Sequence, residues 1–264
     1  MRLQTLVSCE KQNMDTIAET MNLGSDAIVI NQCGENGYKE YDYKGNKICC
    51  YSFNEKGVGL SRNNALLRAD ADIVLFSDED IRYNDGYAEK VLECFEGRPD
   101  ADMLLFNFEV AKDRATYHTE SEHRVTRLNC GRYPTYSFAI RREKLHKAGI
   151  TFSLLFGGGA KYSNGEDSLF IRECIRKGFK IYALPVNLGR EEPRPSTWFN
   201  GYTEKFFFDR GVLYKPLYGV LAKPLAIRFL LAHKSTFFGG ESTEVKEWKQ
   251  AYKLMKKGMK EYTL

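Results

Sequence analysis

Apolar runs recur through the first 110 residues, separated by stretches whose apolar positions fall at helical spacing. Leu3 to Ser8, Ala27 to Ile30, Ile48 to Phe53, Ile73 to Ser77 and Met103 to Val110 read as strands. Met14 to Met21, Ser61 to Arg68 and Tyr87 to Phe95 read as helices. The last has apolar residues at 88, 91, 92 and 95, the spacing of a one-sided helix. Residues 34–47 are polar, with glycines, tyrosines and lysines, and predict a loop or hairpin. Strands alternating with helices predict an α/β fold, with a mostly parallel sheet flanked by helices on both faces. Ligands of such sheets bind beyond the carboxyl ends of the strands. Ser8-Cys9, Asn31 and Asp78-Glu79-Asp80 all follow strand ends and are expected at one rim.

Past residue 115 the pattern loosens. Thr135 to Ile140 predicts a strand across the sheet, and Arg141 to Ala148 a short helix. Phe156-Gly157-Gly158-Gly159 reads as a flexible turn. Asp167 to Lys177 is a helix stopped by Gly178, and Phe179 to Leu184 a further strand. Pro193 to Phe199 predicts a loop able to fold over a ligand. Residues 212–233 mix apolar and aromatic side chains with Lys215, Lys223 and Arg228, interrupted by Pro216 and Pro224. Glu244 to Lys260 sets Val245, Trp248, Tyr252, Leu254, Met255 and Met259 among many lysines. Such a segment either lies on an anionic membrane surface or packs on the domain with its lysines in water. The expected division is an α/β unit over 1–200 and a helical, aromatic extension over 201–264.

Composition narrows the class. A chain of 264 residues is long enough for one α/β domain with a full core. The net charge of +4 is too mild to call for nucleic acid. Seven cysteines, odd in number and without a C-x-x-C pair, point to a reduced, cytoplasmic chain without structural zinc. Met1-Arg2-Leu3 leads into a strand rather than a long apolar run, so no secretory leader is expected. No apolar run reaches the roughly 18 residues of a spanning helix.

Three short segments carry candidate chemistry, and each also has a plain structural reading. Asp78-Glu79-Asp80 puts two carboxylates at i and i+2 just past an apolar strand. Such oxygens suit Mg²⁺ or Mn²⁺, which would neutralise a departing diphosphate; the alternative is a solvated turn. Gly57 to Leu66 is a glycine-led helix start with Arg62 and Asn63 facing the rim. Helix N-termini attract phosphate, but this is neither G-x-x-x-x-G-K-[ST] nor G-x-G-x-x-G, and read alone the segment is better explained as a helix start entered through permissive glycines. Gly165-Glu166-Asp167 offers a general base on a rigid helix start, or two acids favoured by the helix dipole. Trp198 is a candidate sugar platform or an anchoring indole, and Arg210 a candidate diphosphate contact.

In this order, the three segments resemble the family 2 glycosyltransferases of the GT-A fold, over about residues 3–190. The family has a glycine-led R-N helix start, a strand ending in D-x-D, and a later E-D pair behind a glycine-rich stretch. The resemblance implies that Ser8, Cys9 and Glu10 form the first nucleotide loop and that Asn31 meets the base. It implies that Arg62 approaches base or ribose, with Asn63 and Glu79 nearby. Asp78 would contact ribose or metal-bound water, and Asp80 would hold Mn²⁺ or Mg²⁺. Asp167 would take the acceptor proton, with Glu166 orienting the acceptor.

Three departures stand out. Ser8-Cys9-Glu10 replaces proline, an aromatic and asparagine; Asn31-Gln32-Cys33-Gly34 replaces an aspartate-rich loop. Leu188 to Glu192 lacks the late histidine that often completes the metal site, leaving Glu191, Glu192 or the diphosphate to do so. The implied activity is inverting, metal-dependent transfer from a nucleotide sugar, UDP-sugar favoured. The implied acceptor is a hydroxyl of a glycan or lipid-linked saccharide in bacterial surface-polysaccharide synthesis. The implied location is the cytoplasm, with peripheral contact at the inner face of the membrane. Two rivals stay open: a phosphatase with Asp78 as nucleophile, and a non-catalytic sugar- or nucleotide-binding module.

Overall fold

Among the described residues, ten strands join in one sheet. They are β1 (Leu3–Glu10), β2 (Asp26–Gln32), β3 (Gly37–Tyr43), β4 (Asn46–Phe53), β5 (Ile73–Asp78), β6 (Ile81–Tyr83), β7 (Met103–Glu109), β8 (His123–Arg124), β9 (Phe138–Arg141) and β10 (Ile181–Glu191). Their order is β3-β4-β2-β1-β5-β9-β7-β10-β6, with β8 pairing off this path onto β10. In this computed structural model the described residues are all of 1–264 except 112–114, 116, 194–200, 239–244, 246 and 263–264. Strands β4, β2, β1, β5, β7 and β10 run one way; β3, β9, β6 and β8 run against them.

The apolar strands lie where their sequence requires. β1 is buried from Leu3 to Cys9, β5 from Ile73 to Ser77 and β7 from Met103 to Phe108, because each has a strand on both sides and cover on both faces. The polar stretch at 34–47 resolves into the hairpin of β3 and β4. Lys44 and Gly45, with φ of 52° and 77°, form its tight turn, which matches the strand twist. β3 is the exposed edge, and Lys39, Glu40 and Asp42 blunt it against further pairing.

The helices are α1 (Ile17–Met21), α2 (Val58–Arg68), α3 (Tyr87–Gly97), α4 (Arg142–Ala148), α5 (Glu166–Arg176), α6 (Glu204–Tyr218), α7 (Ala222–Ala232), α8 (Lys234–Phe238) and α9 (Trp248–Glu261). One face of the sheet packs Val7 and Val29 against Ile17, Met21, Val91 and Phe95 of α1 and α3. The other packs Leu6, Ile28 and Phe76 against Leu66, Leu145 and Phe170 of α2, α4 and α5.

Two expectations change, and the packing of α9 favours one of its two readings. β10 runs on to Glu191 rather than ending at Leu184, through Pro185, Asn187 and Gly189, which are poor strand formers. Pairing with β7 and then β6 holds it; a Cβ on Gly189 would meet Arg82 O at 2.3 Å. α6 continues past Pro216 to Tyr218, although the proline has no N–H to donate to the carbonyl of Val212 four residues back. The apolar face of α9, with Ala251, Met255 and Gly258, is covered by α6, so it is not presented to a membrane. The contact is close: a Cβ on Gly211 would lie 2.1 Å from Met255 O, and one on Gly258 2.1 Å from Phe208 O. No helix among the described residues is long and apolar enough to cross a membrane.

Candidate active site

The rim at the carboxyl ends of β1, β2 and β5 gathers the first group of expected residues. Parallel register sets Ser8 beside Asp78 and Cys9 beside Asn31. The Glu10 N–H donates to Glu79 Oε2 at 2.6 Å, tying the first loop to the acidic turn. Several of these side chains are turned inward. Asn31, expected to meet the base, is 3% exposed; its amide accepts from Gln12 N and donates to Gln12 O, both at 3.1 Å. Cys9 is buried and its thiol points at Ile30 O. Ser8 is buried too, and its hydroxyl has no hydrogen-bond partner among the described residues. Asn63, expected near the nucleotide, instead holds the Phe152 backbone at both ends, donating to Phe152 O at 2.9 Å and accepting from Phe152 N at 2.8 Å.

Arg62 departs most from expectation. Its side chain is 5% exposed, and it bridges two carboxylates instead of reaching out to a base. Nη2 donates to Asp78 Oδ1 and Nη1 to Glu166 Oε1, each at 2.9 Å. The guanidinium lies 5.4 Å from the Phe152 ring centroid, and Phe152 stacks on Phe170 at 4.1 Å. Burial disfavours the cation, but the charges of Asp78 and Glu166 outweigh it and raise the Arg62 pKa. One buried cation thus joins the end of β5 to the start of α5.

Glu166 and Asp167 open α5 behind Gly165, whose φ of 110° few other residues adopt. The glycine-rich turn before it is held in place: Val58 N donates to Gly158 O and Gly157 N to Tyr162 O, both at 2.9 Å. A Cβ on Gly157 would sit 2.8 Å from the Glu166 carboxyl carbon and 2.7 Å from Val58, so the turn packs directly on α2 and α5. Burial, then the neighbouring charge of Glu166, push the Asp167 pKa up to about 6; Ser168 N, donating to Oδ1 at 2.6 Å, and Arg62 pull the other way. A carboxylate tuned near neutrality suits proton abstraction.

Asp80 follows β5, and its carbonyl accepts from Glu192 N at 2.7 Å, so the end of β10 adjoins the acidic turn. Tyr136 reports the local field. Burial first, then Tyr117, Glu191, Asp78 and Asp80, push its pKa well above the usual phenol range. The oxygen donors suit Mg²⁺ or Mn²⁺. Among the described residues no three His, Cys, Asp or Glu side chains are grouped to hold an ion, so a metal here would need ligands from the substrate. Trp198 lies outside the described residues. Arg210, expected to reach a diphosphate, sits on α6 between the rings of Phe206 and Phe229, 5.3 Å from each centroid.

Sequence reasoning missed two parts of this frame. Gln32 staples the start of α2, accepting from Gly57 N at 3.1 Å and donating to Gly57 O at 3.2 Å; its place beside Asn31 at a strand end was the available signal. Phe152, the platform under Arg62, carried no signal, being an isolated aromatic 90 residues away in the chain.

Residues 35–160, just under half of the chain, match the family described as Glycosyl transferase family 2. The fold resembles the crystal structure of S. aureus TarS 1-349 in complex with UDP-GlcNAc (16% identity, TM-score 0.66, covering 96% of this chain and 79% of that one). TarS 1-349 in complex with UDP gives 17% identity and a TM-score of 0.59, covering 89% and 72%. The mannosyltransferase PcManGT from Pyrobaculum calidifontis, in complex with GDP-Man and Mn²⁺, gives 13% and 0.50, covering 98% and 74%. No curated protein matches the sequence. The expected α/β fold of the GT-A type is borne out.

Proposed function

We propose that this chain, a glycosyltransferase with a family 2 match over residues 35–160, is an inverting, metal-dependent enzyme that moves a hexosyl group from a UDP-sugar to a hydroxyl. The observation that carries the reading is the Arg62 bridge. It fixes Asp78 at the donor rim and Glu166, with its neighbour Asp167, in one rigid frame. The acceptor hydroxyl attacks the anomeric carbon opposite the leaving diphosphate, and its proton passes to Asp167. The C–O bond to the diphosphate breaks and the configuration inverts. Glu166, fixed by Arg62, orients the acceptor. Asp80 and Asp78 would hold Mn²⁺ or Mg²⁺, which neutralises charge growing on the departing diphosphate.

UDP is favoured because TarS, which matches this fold at the higher TM-score, was solved with UDP and UDP-GlcNAc. GDP-Man was bound in the less similar neighbour, together with Mn²⁺. We assign the acceptor to glycans or lipid-linked saccharides of surface-polysaccharide synthesis, at the cytoplasmic face of the membrane. Residues 1–200 form the catalytic unit and 201–264 an extension packed on it. Contact with a membrane would run through the lysine face of α9, since its apolar face is covered.

Thermal-shift titration with UDP, GDP, CDP and dTDP, with and without Mn²⁺, tests the reading. At 100 times the dissociation constant, binding stabilises by about 2.7 kcal/mol, a rise of roughly 5–10 °C for a chain of this size. UDP with Mn²⁺ should give this shift, and Asp80→Ala should abolish it. No shift with any of the four overturns the assignment.

A further inference from the structure

Helix α7 is apolar on its inner and its outer side. The inner side, with Ala222, Ala226 and Leu230, is buried against α6 and α9. The outer side faces water. Val220 and Leu221, in the 3₁₀ turn Gly219–Leu221 that leads into α7, are 93% and 54% exposed, and Leu231 is 52% exposed. Pro224 is exposed as well, and Ile227 is half-buried. Positions 220, 224, 227 and 231 fall at i, i+4, i+7 and i+11, so these side chains form one stripe along the helix. A stripe that faces water adds nothing to the fold, and a contiguous exposed apolar patch marks an interaction surface.

Charge decides what covers it. Residues 210–240 contain no Asp or Glu, but they contain Arg210, Lys215, Lys223, Arg228 and Lys234. The last four are exposed, and none of them forms an ion pair among the described residues. At about 3.6 residues per turn, Lys223 lies on one flank of the stripe and Arg228 on the other. Long basic side chains lay their stems along apolar surface and keep their charges in polar surroundings. An apolar stripe rimmed by cations is complementary to acyl chains under anionic headgroups. It is not complementary to itself. A two-fold pair of copies sets the same patch against itself and would bring like charges together.

We propose that α7 lies in the plane of an anionic membrane surface. Val220, Leu221, Ile227 and Leu231 enter the boundary between headgroups and acyl chains, and Lys223 and Arg228 meet the lipid phosphates. This rests on the membrane location proposed above and gives it an apolar anchor, since the lysine face of α9 offers charge alone.

The test is co-sedimentation of the full chain with vesicles of phosphatidylcholine, alone or with about one-third phosphatidylglycerol. The wild type should bind the anionic vesicles at least about tenfold more tightly than the neutral ones. Val220→Ser/Leu221→Ser/Leu231→Ser should weaken that binding by about tenfold or more, because membrane affinity scales with the apolar area buried. Lys223→Gln/Arg228→Gln, which leaves the apolar stripe intact, should weaken it by about tenfold at low ionic strength. Lys253→Gln/Lys257→Gln on α9 should weaken it less than the serine change does. A serine variant that binds like the wild type overturns the proposal. If the α9 variant alone loses binding, the proposal falls while membrane contact stands and runs through α9. No binding by the wild type overturns the membrane location as well. A wild type that is dimeric by analytical ultracentrifugation, with a monomeric serine variant, gives this face to a second copy and overturns the proposal too. The Mn²⁺-dependent UDP shift should be the same in every variant, which checks that each is folded. Its absence from the wild type would sink the donor reading and leave the vesicle result standing.

Discussion

Asp167→Asn should separate catalysis from stability, with opposite signs. The folded protein holds the Asp167 carboxyl at about 6 instead of the ordinary 3.8, chiefly because it is buried and beside Glu166. Its ionised form is therefore disfavoured by folding. The stability tied to this group is fully present below pH 4 and is lost as pH rises through about 6. At about 1.36 kcal/mol per pKa step, the carboxylate costs the fold up to about 3 kcal/mol at pH 8. Asparagine keeps the shape, and its oxygen can still accept from Ser168 N. Urea unfolding at pH 8 should show the variant more stable by about 1–3 kcal/mol, with the gain vanishing near pH 4. Transfer should fall by roughly 10²–10⁴, the range for a lost general base, while the UDP shift stays. A variant less stable than wild type at pH 8 would refute the burial argument. Undiminished turnover would refute the role. Wild-type turnover should itself rise with pH, with a midpoint near 6.

Two further perturbations test the frame. Arg62→Met leaves Asp78 and Glu166 without their shared cation and should cost about 3–5 kcal/mol in urea unfolding, together with loss of the UDP shift; a cost under about 1 kcal/mol would mean that the bridge holds nothing. Gly211→Leu drives a side chain into the Met255 carbonyl and should cost roughly 3 kcal/mol by the same assay, with the UDP shift retained at temperatures where the variant is folded.

The parts legible in the sequence are those where burial on both sides dictates composition. β1, β2, β5 and β7 are apolar because neighbours cover both faces, and their ends located the rim. β3 was ambiguous because an exposed edge strand keeps little apolar periodicity. The second half of β10 was hidden because its pairing comes from β6 and β7, not from its own residues. α9 allowed two readings because an amphipathic face looks the same whether it meets lipid or α6. The site divides the same way. Asp78 and Glu166 could each be picked out as acids at element ends, but their union through Arg62 joins positions 16 and 104 residues apart from it. Periodicity sets which face a residue occupies; it does not say that the face opposite carries two carboxylates instead of a nucleotide.

That union also gives the proposed metal dependence a reason independent of resemblance. Asp78, Asp80 and Glu191 all act on Tyr136, so the rim that would receive a diphosphate is rich in negative charge. Arg62 is already shared between Asp78 and Glu166 and brings no spare positive charge to an incoming anion. Arg210 is stacked between two phenyl rings on α6. A divalent cation reverses the local sign, turning the same carboxylates from a barrier into ligands. UDP should accordingly bind weakly in chelator. Mn²⁺ should strengthen its binding far more than it strengthens binding of uridine, which lacks the diphosphate.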